Sequence, residues 1–147
     1  MKITTAMFIL TLLLSAVQSQ SAFSQTCRIT TGTCANGSTL YQEIYEYDYV
    51  DIKPEFPGGR CCMINYVNQT RCYPSEAYAS GIEGRVTCSF VVNIDGSITN
   101  ISVIKGVENS LNEEAIRILS KMPTWTPGKQ GGHFVPVRVV YAVPFRK

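Results

Sequence analysis

Residues 81–129, GIEGRVTCSFVVNIDGSITNISVIKGVENSLNEEAIRILSKMPTWTPGK, read as strand, turn, strand, capped helix and stop. Over 85–94, Val86, Cys88, Phe90, Val92 and Ile94 alternate with Arg85, Thr87, Ser89 and Asn93, the period-2 pattern of a strand with one buried face. Asp95-Gly96 supplies the positive φ angles of a tight hairpin turn, so a second β-rich run over 97–105 is predicted to pair antiparallel with the first. Ser110-Leu111-Asn112-Glu113 then forms a capping box: the serine hydroxyl can accept from the Glu113 amide, and the Glu113 carboxylate can reach back to the serine amide. Leu111, Ala115, Leu119 and Met122 fall on one helical side, and Glu113, Arg117 and Lys121 make an i,i+4 ladder on another. Pro123 ends the helix.

On the C-terminal side, 135–145 reads as a last strand. Val135, Val137, Val139, Tyr141, Val143 and Phe145 share one face, and Arg138, Val140 and Ala142 share the other. Pro136 and Pro144 lack amide donors, which suits a sheet edge better than a centre. On the N-terminal side, 74–80 is a short helix opened by Pro74 and closed by Gly81. Residues 60–68 form another, with Cys61, Ile64 and Val67 or Asn68 on one face. The pattern YQEIYEYDYVDI over 41–52 alternates as a strand, with Tyr45, Tyr47 and Tyr49 on one side. Packing is the simple role for those tyrosines; stacking on carbohydrate is the other. Residues 25–40, rich in Thr, Gly, Ser and Asn, read as an exposed extension closed by a Cys27–Cys34 loop.

The chain has 147 residues, 45% hydrophobic and 16% charged, the proportions of a globular domain with a real core. Lys2 followed by an apolar run over 6–17 and by Ala22-Phe23-Ser24 reads as an export signal, with cleavage expected before Gln25. Twelve apolar residues are short for a bilayer span, so an uncleaved inner-membrane anchor is the lesser alternative. The expected organisation is therefore a signal peptide over 1–24, an extension with a cysteine loop and a Tyr-rich strand over 25–52, and a folded domain over 53–147. Glu43, Glu46, Asp48, Asp51 and Glu55 crowd one segment, while from Ala115 onward there are basic residues and no acid. These bases are dispersed rather than clustered with aromatic platforms, which argues against nucleic acid.

The order of these signals resembles the C-terminal domain family of TonB proteins, in the form found in Bacteroides-type bacteria. The residues that carry the likeness are Glu55-Phe56-Pro57-Gly58-Gly59, Tyr73-Pro74, Gly81-Ile82-Glu83-Gly84-Arg85-Val86, Asp95-Gly96-Ser97, Leu111-Asn112-Glu113-Glu114-Ala115 and Trp125-Thr126-Pro127-Gly128-Lys129. They cover roughly 53–147. The resemblance implies a two-layer α+β fold, an antiparallel sheet of about three strands packed on two or three helices, here with an extra N-terminal Tyr-rich strand. It implies a periplasmic binding module of energy-coupled transport. In this family the last strand takes the TonB box, the N-terminal segment of an outer-membrane TonB-dependent receptor, by β-strand addition. Carried onto this chain, the docking residues are Val135, Val137, Arg138, Val139, Val140 and Tyr141. Inner-membrane motor proteins join the partners if the N-terminus is uncleaved, and an exchanged edge strand would make a homodimer. The competing reading is a structural or envelope-binding protein that contacts peptidoglycan or glycan.

No catalytic, cofactor or metal site is read from the sequence: His133 is the single histidine and there is no Cys-x-x-Cys. Six cysteines in an exported chain point to disulfides, with Cys27, Cys34, Cys61, Cys62 and Cys72 as candidates. Cys61 and Cys62 are adjacent and unsuited to each other, Cys72 is a partner for one of them, and Cys88 sits on the buried strand face.

Overall fold

A computed structural model describes residues 26–33 and 39–147, with side chains from Gln42 onward. The expected export segment, 1–24, and the expected Cys27–Cys34 closure lie outside the described side chains. Seven strands and three helices follow in the order β1 (Thr26–Thr33), β2 (Thr39–Glu46), α1 (Gly59–Thr70), α2 (Ser75–Ala79), β3 (Gly84–Val92), β4 (Ile98–Lys105), α3 (Asn109–Ser120), β5 (Gly128–Gln130), β6 (His133–Val135) and β7 (Val137–Phe145). The fold is mixed α+β, with sheet order β1-β2-β7-β3-β4 and a separate β5–β6 ribbon.

The centre forms as its alternation requires. β3 turns Val86, Cys88, Phe90 and Val92 onto one face, and β7 registers against it antiparallel from Gly84↔Phe145 to Val92↔Val137. These side chains pack with Leu111, Ala115, Ile118 and Leu119 of α3 and with Phe56, Met63 and Val67 into one core. The buried face of α1 is thus Met63 and Val67, not Cys61 and Ile64, which are exposed. A helix buries whichever stripe meets the core, here Met63 and Val67 at i,i+4 with Tyr66 packed beside them.

Local details depart from expectation at the turn and at the cap. Only Gly96 takes positive φ, at 82°, and Asp95 does not. The Gly96 amide donates to the Asn93 carbonyl at 2.9 Å, and Asp95 Oδ1 accepts from the Ser97 amide at 3.0 Å, so the loop is longer than a two-residue turn. The α3 N-cap is Glu108, not Ser110: its carboxylate accepts from the Ser110 amide at 3.0 Å and also from the Ser110 hydroxyl. A charged acceptor two residues upstream outcompetes a neutral hydroxyl. Asn112 Oδ1 completes the cap by accepting from the Val107 amide at 3.1 Å. Arg117 pairs with Glu114 rather than Glu113, since Glu114 is the carboxylate that faces the core.

Three expectations about the sheet are corrected. Residues 25–40 contain a strand, β1, antiparallel to β2 from Thr26↔Tyr45 to Thr33↔Thr39. The Tyr-rich strand stops at Glu46, and Tyr47–Tyr49 is a single 3-10 turn with Tyr47 and Tyr49 exposed. The run over 135–145 is two strands: Val135 ends β6 and pairs with Gly128, whereas β7 starts at Val137. Pro136, with no amide, marks the break.

Candidate functional site

In strand order β7 lies between β2 and β3, so it is not the outermost strand. Its contact with β2 is nevertheless parallel and brief, limited to Tyr45↔Val137 and Glu46↔Arg138. Beyond Arg138 the β2 side of β7 is open.

Which groups face that opening follows from hydrogen bonds at its two ends. The Tyr45 amide donates to the Pro136 carbonyl at 2.9 Å, which places that carbonyl on the β2 side. At the far end, Arg71 Nη1 donates to the Pro144 carbonyl, which β3 therefore does not use. Main-chain direction alternates along a strand, so even-numbered residues of β7 face outward and odd-numbered ones bond β3. Val140 and Ala142 accordingly hold their N–H and C=O groups toward the opening, where the described residues supply no strand. Both prolines sit at outward positions, so neither removes a donor from the β3–β7 ladder. Arg138 to Pro144 spans about 20 Å at about 3.3 Å per residue.

A groove of about 660 Å³ runs beside this edge. Arg138, Val139, Val140 and Tyr141 form one wall. The other wall is the chain before α1, with Glu46, Tyr47, Asp48, Lys53 and Glu55, and Arg60 lies at the start of the helix. The buried side chains of Phe56, Met63 and Trp125 form the base. Segment 52–55 is held against 126–129: the Thr126 amide donates to Glu55 O at 2.8 Å and the Lys129 amide to Ile52 O at 2.8 Å.

The groove carries little net charge. Arg138 Nη1 lies 3.1 Å from Glu46 Oε1, and Lys53 Nζ 3.9 Å from Asp48 Oδ1, the latter an exposed pair worth little. The acidic N-terminal segment and the basic C-terminal third thus meet across the β2–β7 contact. Arg138 is a paired residue at that junction, not a bare rim cation. Burial pushes the Tyr141 hydroxyl above its ordinary value, and the Arg60 guanidinium partly offsets that rise.

Of the residues expected to dock a partner, Arg138, Val139, Val140 and Tyr141 line the groove. Val135 and Val137 do not: they are buried with Val50 and pack on Tyr45 in a small second core. Phe56, Met63 and Trp125 are the groove residues that sequence reasoning missed. Glu55-Phe56-Pro57 and Trp125-Thr126-Pro127 were the available signals, since each places an aromatic within two residues of a proline in a segment that pairs with the other. Cys61, Cys62 and Cys72 are exposed and unbridged, and Cys88 is buried, its thiol pushed up by burial. The length of α1 separates Cys61 and Cys62 from Thr70 by roughly 12–14 Å, so a bond to Cys72 needs that helix to unwind at one end. Among the described residues there is no cluster of three metal-ligating side chains and no helix long and apolar enough to cross a membrane.

The family model for the Gram-negative bacterial TonB protein C-terminal region matches residues 69–146. Among curated proteins, Protein TonB from two strains of Helicobacter pylori is 32% identical over 72 residues, 48% of this chain and 25% or 26% of the relative. The match therefore spans about a quarter of the length of those relatives. Among solved structures, two NMR solution structures of the Helicobacter pylori TonB-CTD are similar. One has a TM-score of 0.43 at 26% identity, covering 59% of this chain and 94% of that one. The other has a TM-score of 0.40 at 27% identity, covering 58% and 78%. With more than half of its residues matched by the family model, the chain belongs to the Gram-negative bacterial TonB protein C-terminal family.

Proposed function

We propose that this domain is a periplasmic docking module of energy-coupled transport, and that it binds the N-terminal TonB box of an outer-membrane TonB-dependent transporter by β-strand addition on β7. The observation that carries the reading is the open edge at Val140 and Ala142, bounded by β2 at one end and by Arg71 at the other, with a groove beside it. An extended segment laid there gains main-chain hydrogen bonds from β7 and side-chain contacts from the groove. The domain works by binding, with no chemical step. Residues 1–24 are proposed as an export signal, 25–52 as the extension that builds β1 and β2, and 53–147 as the docking domain.

The second reading, contact with peptidoglycan or glycan, is favoured by one observation, the exposure of Tyr47 and Tyr49 on the turn after β2. Titration of the purified protein with receptor N-terminal peptides, beside sedimentation with peptidoglycan, separates the two. Saturable peptide binding without peptidoglycan retention supports docking. Retention on peptidoglycan with no peptide binding overturns it.

A further inference from the structure

Residues that lie level with each other on neighbouring strands turn their side chains to the same face of the sheet. In a strand laid on the open edge of β7, the residues level with Val140 and Ala142 therefore point away from the helices, on the face where Val140 is exposed. The residues level with Val139 and Tyr141 point to the helix face, where Val139 belongs to the main core and Tyr141 packs against it. This holds for a docked strand of either direction. The groove lies on the helix face, where α1 supplies Arg60 and Met63 to its lining.

The two inward positions meet different chemistry. Val139 registers with Phe90, so the two are side-chain neighbours. The Phe90 ring meets Trp125 edge-on with centroids 5.4 Å apart, and Trp125 meets Phe56 in the same way at 5.8 Å. The Val139 end of the groove thus has an apolar floor, completed by Met63. At the Tyr141 end the Arg60 guanidinium lies close enough to act on the tyrosine hydroxyl.

Resting on the docking function proposed above, we infer that the groove selects the docked segment at one position, the residue level with Val139, and that this residue is apolar. A charged or strongly polar side chain there loses water against ring edges and a thioether, and the floor offers it no partner. The residue level with Tyr141 has a guanidinium beside it and is not confined to apolar side chains. The residues between and beyond these two face solvent and are read only through their main chain. Phe56 and Met63 are in this way specificity-determining residues. Both precede residue 69, where the match to the family model begins.

The test replaces each residue of a receptor N-terminal peptide with serine in turn and titrates every version into the whole protein. One position should weaken binding by about tenfold or more, as lost burial of an aliphatic side chain implies. Its two immediate neighbours should change binding by less than about threefold, as outward positions do. In protein labelled at the methionine methyl groups, the unsubstituted peptide should shift the Met63 signal together with the Val140 and Ala142 amides. Met122, which does not line the groove, should stay in place. If the Val140 and Ala142 amides respond while Met63 does not, or if serine weakens binding equally at every position, selection by the groove is refuted and docking on β7 stands. If no peptide binds, docking itself is refuted and this inference with it.

Discussion

Val139→Pro and Val140→Pro exchange neighbouring residues on one strand, yet they should behave as different kinds of lesion. Val139 registers with Phe90 and turns its amide to β3, so proline there removes a ladder donor and leaves the Phe90 carbonyl without its partner. An unmet buried acceptor costs about 1–3 kcal/mol. A φ fixed near −65° where the strand prefers about −140° adds backbone strain, and Val139 is a buried side chain that a ring replaces imperfectly. Together these should destabilise by roughly 3–5 kcal/mol, a large part of the 5–15 kcal/mol typical of a domain. Val140 is 54% exposed with its amide toward the opening, so Val140→Pro should cost only about 1 kcal/mol, from the φ mismatch alone. It should remove peptide binding while the protein stays folded. Urea unfolding of both variants at constant m-value, with peptide titration beside it, checks the pair. Equal destabilisation, or a greater loss for Val140→Pro, would show that the amide directions along β7 are assigned the wrong way round.

Three further outcomes follow from other parts of the chain. Glu114, 8% exposed, accepts from the Cys72 amide at 2.7 Å and from Arg117 Nε and Nη2 at 2.7 Å, while Arg117 Nη2 also donates to the Thr70 carbonyl at 2.7 Å, tying α3 to the end of α1. Burial pushes that carboxyl up, but the Arg117 and Cys72 hydrogen bonds outweigh it and hold the group below the usual carboxylate range. A depressed folded pKa gives stability that is complete above the unfolded value, about 4.3, and is lost as pH falls through the folded one; urea midpoints measured from about pH 6 to pH 3 should fall less in Glu114→Gln than in wild type. Gly96→Ala places a Cβ against the Trp125 carbonyl at positive φ and should cost more than about 2 kcal/mol, read by thermal unfolding with a shift in tryptophan emission. Mass measurement of periplasmic protein, native and reduced, should give a chain beginning at or near Gln25 with at least one disulfide. Full-length protein retained in membranes, or six free thiols, would reverse that proposal.

The central α+β unit was legible because its instructions are local. Alternation in Val86, Cys88, Phe90 and Val92, a glycine at the turn and an amphipathic helix each act within a few residues. What the sequence concealed is set at long range. Nothing near Val139 says that β2, more than ninety residues earlier, will cover Arg138 and stop there. Nothing in Glu113-Glu114 says which carboxylate turns inward, because the deciding partners, the Cys72 amide and the Thr70 carbonyl, lie on another element. The split at Pro136 is half visible in the sequence: the proline lacks an amide donor, but the alternation of valines across it has the same period in one strand as in two. The groove is the extreme case, since its walls come from segments about ninety residues apart, joined by the short β2–β7 contact and the Arg138–Glu46 pair, with the Glu55↔Thr126 and Ile52↔Lys129 bridges holding the second wall in place.

Amide hydrogen exchange with and without receptor N-terminal peptide tests docking on β7 most directly. Val140 and Ala142 should be fast in the free protein and strongly protected in the complex, while Val139 and Tyr141, already bonded to β3, should be slow in both. Protection that appears instead along the outer edges at β1 or β4, with Val140 and Ala142 unchanged, would contradict strand addition on β7.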